Sequence, residues 1–261
     1  MNWHLHLDAM VMILAIGGLY GYGLIQFRPR PRWLHPIEPR HVILFSMGLT
    51  TLYAAEGSPL HDLSEQYLFS AHMIQHMLLT LIMPPLLLLG IPSWLLRPLL
   101  TRRFFFPVAK VLTNPVVAIV LFNGTLALWH LPNLYEATLL NHNIHIVNHL
   151  MYVSTAMLLW WPIFSPLPEL PPISYPLQML YLFVQSLVPA IIASMVTFSE
   201  TVLYPTYAQA PRILDLDPIT DQQIGGLIMK VLGSIIMWTL GTIIFFHWFN
   251  YEEAQPEQSW D

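Results

Sequence analysis

Apolar residues in this chain gather into blocks of about twenty, the length a helix needs to cross about 30 Å of hydrocarbon. Seven such runs can be marked, at 8–27, 41–55, 68–89, 114–131, 144–163, 176–203 and 223–249. In lipid, backbone polar groups must be satisfied within the segment, so these runs are expected to be helices. Charged residues make up only 10% of the chain, whereas a soluble domain carries about 25%. The expected fold is therefore all-α: a polytopic membrane protein of seven transmembrane helices, forming a single domain over 1–261.

Finer features follow from the same reading. Met1 to Leu7 lacks a basic region, and no small-residue cleavage site follows the first run, so that run is expected to remain as a span. The Pro84-Pro85 pair predicts a kink or early helix end within the third run, and Pro189 a kink in the sixth. The segment from Leu95 to Phe105 mixes basic and apolar residues and reads as interfacial. Trp160-Trp161-Pro162 reads as an aromatic anchor at the membrane surface.

Basic residues in short loops mark the cytoplasmic side. Arg28, Arg30, Arg32, Arg40, Arg97, Arg102, Arg103 and Lys110 all fall in the loops after the first and third runs. This predicts an outside N-terminus and an inside C-terminus. It also puts nine of the twelve histidines outside, leaving His35, His41 and His247 inside.

Within that outer group the spacing carries chemistry. His72 and His76 are four residues apart, and so are His145 and His149. Residues at that spacing share a helix face, about one turn apart. Two imidazoles so placed can share one metal ion. The chain has no cysteine, which removes thiolate sites, disulfides and iron–sulfur clusters. A site of His72, His76, His145 and His149, with His130 nearby, suits copper. Met73 and Met77 each sit about 100° around the helix from a histidine and are expected to pack instead. The alternative for the histidines is hydrogen bonding between helices. Haem held by one histidine from each pair is a further alternative, although paired spacing favours a metal ion.

Glu200 is a candidate acidic ligand or outer partner of a histidine, or else the salt-bridge partner of Lys230. Asp221-Gln222-Gln223 before Gly225-Gly226 reads as an acidic helix start with close packing at the glycines. Hydrolytic motifs are absent: there is no Gly-x-Ser-x-Gly and no His-Glu-x-x-His. There is no basic patch for nucleic acid. Polar groups crowd one end rather than mid-depth, which suits exchange at the outer surface better than transport. A membrane enzyme using a bound metal for redox chemistry is a third reading.

The stretch Ser70-Ala-His-Met-Ile-Gln-His-Met-Leu-Leu with Met83-Pro-Pro-Leu-Leu-Leu-Leu-Gly-Ile-Pro92 is one of four separated motifs. The others are Trp129-His130-Leu131-Pro132 with Leu134-Tyr135, His145-x-x-x-His149 ending in Trp160-Trp161-Pro162, and Asp221-Gln222-Gln223-x-Gly225-Gly226. In this order they resemble the bacterial CtaG-type, seven-span cytochrome c oxidase assembly factors, over roughly Trp3 to Phe249. Asn148 departs from the acidic residue common there. The resemblance implies a non-enzymatic bacterial inner-membrane protein that matures a haem–copper oxidase. It further implies copper supply to the binuclear centre of the oxidase's second subunit, which faces outside.

Overall fold

The apolar runs fold as helices, and among the described residues every regular element is helical. The computed structural model describes residues 6–29, 37–213 and 215–254. His4, His35, Arg30, Arg32 and the end of the acidic tail lie outside the described residues.

The long elements are α1 (Leu7–Gln26), α2 (Pro39–Glu56), α4 (Phe69–Met77), α5 (Met83–Gly90), α8 (Pro115–Trp129), α10 (His142–Phe164), α11 (Tyr175–Thr197) and α13 (Pro218–Glu253). Shorter helices connect them: α3 (Pro59–Gln66), α6 (Ser93–Leu100), α7 (Phe105–Leu112), α9 (Pro132–Leu140) and α12 (Pro205–Gln209). Among the described residues, four stretches are long and apolar enough to cross a membrane: Ala9–Gln26, Phe69–Gly90, Tyr175–Thr197 and Pro218–Glu253. They become five if α7 and α8, bent by 70° at their junction, form one broken span. The sequence expectation was seven. The shortfall has a physical cause. α8 is 15 residues long, α2 bears Arg40, His41 and Glu56, and α10 opens on three histidines and two asparagines.

The third run shows how the chain accommodates Pro84-Pro85. α4 passes into a π-helical segment, Leu78–Ile82, and α5 then starts with proline in its first turn. Proline's fixed φ suits the first turn of a helix, but because α5 continues from the π-helical segment it withholds a donor from the residues before it. The carbonyl of Thr80 would take its α-helical hydrogen bond from residue 84, a proline. Trp160 Nε1 donates to it instead, at 2.7 Å. Trp160 is thus a buried internal donor, and Trp161 donates to the Leu170 carbonyl at 3.2 Å. Both sit in the core, which corrects the expectation of a surface aromatic anchor. α11 runs on through Pro189. The basic, apolar segment forms α6 and α7, with Leu99, Phe104 and Phe105 exposed, as an interfacial pair would have them.

Glycines set the closest helix contacts. A Cβ on Gly90 of α5 would lie 2.5 Å from the backbone nitrogen of Phe45 in α2. On Gly226 of α13 it would meet Thr197 Oγ1 and come within 2.9 Å of the Ala193 carbonyl in α11. Small residues at such crossings let backbones approach. Gly226→Val is therefore expected to cost about 1–3 kcal/mol by overpacking. Thermal unfolding in detergent should show a lowered midpoint for it, and little change for Gly241→Ala, where nothing lies within 4 Å of the added Cβ.

Candidate metal centre

The N-terminus of α4 is held by a residue from the other end of the chain. Asp221, buried in α13, accepts from Phe69 N at 2.7 Å, from Ser70 N at 3.3 Å and from Ser70 Oγ. The cap of α13 itself is Asp217, whose carboxylate accepts from Ile219 N. Asp221 thus caps the histidine helix and not its own, which corrects the sequence expectation. A carboxylate at a helix N-terminus satisfies free N–H groups and suits the helix dipole. Gln222 accepts from Leu203 N at 2.7 Å and donates to the Thr201 carbonyl at 3.2 Å, tying down the loop after α11. A Cβ on Gly225 would strike the Phe69 ring at 2.5 Å, so the expected close packing is present.

That clamp orients an inner cluster. His72 and His76, both buried, lie one turn apart with ring centroids 4.3 Å apart and ring planes tilted by 48°. His130, at the C-terminus of α8, has its ring 6.1 Å from that of His76. Its Nδ1 lies 2.7 Å from the Leu126 carbonyl, so Nδ1 carries the proton and donates it. Nε2 is then left with a lone pair. His130 Nε2 and His72 Nε2 are both buried and have no hydrogen-bond partner. Met73 and Met77 pack in the larger core, as expected. They also line, with His76 and His130, a cavity of about 50 Å³. Aromatic rings close the cluster: Tyr152 against His76, Tyr135 against His72, and Tyr204 donating to the His130 carbonyl at 3.2 Å.

His145 and His149 do not turn into this cluster. They stand beside it, with ring centroids 4.1 Å apart, and face carboxylates. His149 Nδ1 lies 2.8 Å from Glu56 Oε1, and His145 Nε2 lies 2.7 Å from Glu65 Oε1. His61 joins them, its Nε2 3.1 Å from the same Glu65 oxygen. Burial works against charge on His61, but Glu65, Glu56 and Asp62 outweigh it and raise its pKa above the ordinary value. Burial likewise works against charge on Glu65, yet His145 and His61 hold it well below the usual carboxylate range. The two histidine pairs thus form adjoining clusters with different partners, not one four-histidine square.

Glu200 lies exposed at a bend after α11, and among the described residues no contact joins it to a histidine or to Lys230. Lys230 instead bonds Ser194 Oγ at 3.3 Å and sits 5.9 Å over the Phe198 ring. His61, Glu65 and Glu56 escaped the sequence reading as site residues. The signal was available: His61 and Glu65 have the same four-residue spacing as the histidine pairs, behind the Ser58-Pro59 start that makes α3 a helix. A model of the cytochrome c oxidase caa3 assembly factor family matches residues 18–251. No curated protein and no solved structure matches the chain.

Proposed function

Because the chain belongs to the cytochrome c oxidase caa3 assembly factor family, we propose that it carries copper to the oxidase it helps to assemble, without catalysing a reaction. In this reading the ion is cargo. His72, His76 and His130 hold it, and the oxidase's copper-bearing second subunit receives it. His145 and His149 belong to the neighbouring carboxylate cluster, and Glu200 has no role in the site.

One observation carries the proposal. Two buried imidazole nitrogens, on His72 and His130, have no protein partner. A buried polar group without a hydrogen bond costs about 1–3 kcal/mol, and retaining two of them on either side of His76 calls for a ligand. Neutral imidazole ligates copper, and the thioethers of Met73 and Met77 line a cavity together with His76 and His130, soft groups that favour the cuprous ion. No carboxylate is hydrogen-bonded or ion-paired to His72, His76 or His130 among the described residues, so a monovalent cation costs least to bury there. The cavity of about 50 Å³ also favours an ion over haem, since small-molecule sites run to roughly 300 Å³ or more.

The membrane arrangement belongs to the same reading. α1, α2, α4 with α5, α8, α10, α11 and α13 are the seven spans of a bacterial inner-membrane protein. His6 begins α1, Glu56 ends α2, His72 begins α4, His130 ends α8 and His145 begins α10. Successive spans therefore alternate in direction and bring these groups to one end. Arg97, Arg102, Arg103 and Lys110 fall between two such returns, which puts the histidine end outside.

The test is copper content and an optical spectrum of the detergent-purified protein, loaded with Cu⁺ under anaerobic conditions against a chromophoric chelator. The expected result is about one Cu⁺ retained per chain, with no Soret band. A protein that binds no Cu⁺ would overturn copper carriage, and a Soret band would point to haem.

A further inference from the structure

The carboxylate-bearing cluster beside the copper histidines has its own donor set. We propose that His61, Glu65 and His145 form a second metal site, for a divalent first-row transition-metal ion, distinct from the copper-holding histidines. The proposal goes beyond copper carriage and does not depend on it.

Geometry is the first support. One ligand atom from each of the three residues lies within 4.8 Å of the other two. Both imidazole Nε2 atoms converge on one oxygen of Glu65, at 2.7 Å from His145 and 3.1 Å from His61. The 3.1 Å separation equals an edge of a coordination shell, roughly 3.0–3.3 Å when metal–nitrogen bonds are about 2.0–2.1 Å, and the 2.7 Å separation would have to open by a few tenths of an ångström to admit an ion. His145 Nε2 is buried and, despite its closeness to Glu65, has no hydrogen bond of acceptable direction.

Surrounding groups fix the His61 ring. Gln75 Nε2 donates to His61 Nδ1 at 3.0 Å, because Gln75 Oε1 is taken by Ser64 Oγ at 2.7 Å and its amide nitrogen also donates to the Ala55 carbonyl at 3.0 Å. The His61 proton therefore sits on Nε2, facing Glu65, and a metal ion bound at Nε2 has to displace it.

Charge and access select the ion. Glu65 and Glu56 bring negative charge that the inner histidines lack, and Asp62 adds to it on the far side of His61, facing His6 at 3.3 Å. A dication is compensated here, where Cu⁺ would not need to be. Two imidazoles and a carboxylate suit Cu²⁺, Zn²⁺, Fe²⁺ or Ni²⁺, with Cu²⁺ bound most tightly. The cluster borders a cleft of about 320 Å³ lined by His6, Glu56, His61, His142, His145 and His149, which gives an ion a route in.

The experiment uses the purified full chain with Zn²⁺ and Cu²⁺ as probes, comparing wild type with Glu65→Gln and His61→Gln. Wild type should bind Zn²⁺ and give a Cu²⁺ electron paramagnetic resonance spectrum with imidazole nitrogen couplings. Each variant should weaken both ions at least about 100-fold, since even outer-shell partners are worth 10–100-fold, while Cu⁺ binding stays unchanged. Zn²⁺ should raise the thermal midpoint of wild type and not that of Glu65→Gln, whose metal-free midpoint checks that it is folded. Equal Zn²⁺ and Cu²⁺ binding in wild type and both variants, or none in wild type, would overturn the second site. Loss of Cu⁺ binding in wild type with Zn²⁺ retained would instead count against copper carriage alone.

Discussion

Replacing Asp221 with alanine is expected to destabilise the protein by about 3–5 kcal/mol, among the largest losses available from a single polar residue in this fold. The carboxylate takes three hydrogen bonds from the first residues of α4. Bonds to a charged group are worth about 1.5–3 kcal/mol each. Removing the acceptor leaves the N–H of Phe69, a residue only 1% exposed, with nothing to bind. α4 carries His72 and His76 in its first two turns, so loosening its start also loosens the two histidines proposed to hold copper. Asp217→Ala supplies the contrast. That residue caps α13 through one exposed bond, to Ile219 N, and its loss should cost about 1 kcal/mol. Thermal unfolding of both variants in the same detergent checks the difference. Equal midpoints would mean that α4 is held by its packing and not by the cap from α13.

How much of this was legible in the sequence depends on the range of the interaction. Helical character and the approximate bounds of the runs follow from local hydropathy, and α11 and α13 begin within a few residues of where the pattern starts. The pairing of His72 with His76 is also local, because one helix turn fixes it. What could not be read was convergence. Nothing local says that Asp221 should reach residues about 150 positions away, so an acidic residue near a helix start reads as that helix's own cap. Trp160 was misplaced for a related reason. Its sequence context looks like a membrane-surface anchor, but a carbonyl orphaned by Pro84 draws it inward. The division of the histidines has the same origin. Glu56 and Glu65 come from α2 and α3, and only tertiary packing brings them against His149 and His145, leaving the inner histidines without carboxylates. The number of spans is blurred for a different reason: α2 and α10 carry Glu56, His145 and His149, and these polar residues dilute the hydropathy that marks a span.

Exchanging His72 and His76 together for leucine is expected to abolish Cu⁺ binding and the matured oxidase while leaving the fold intact. The choice of leucine matters. If the imidazoles were links between helices, leucine would break hydrogen bonds and stability would fall. His72 Nε2, however, has no partner to lose. Replacing an unsatisfied buried polar group by an apolar one of similar size is close to neutral, about 1.5 kcal/mol or less. Copper, by contrast, loses two of its three imidazoles, and affinity should fall at least about 100-fold. The measurement is made in cells that carry the variant as the sole copy. Protein level and thermal midpoint should match wild type, while oxidase activity and the absorbance of its binuclear copper centre fall to background. A fully active oxidase would sink copper carriage by these residues. A loss of protein together with oxidase would return the histidines to a structural role. Stability and delivery are thus separated by one variant, because the His72 and His76 side chains make no hydrogen bond among the described residues for the fold to lose.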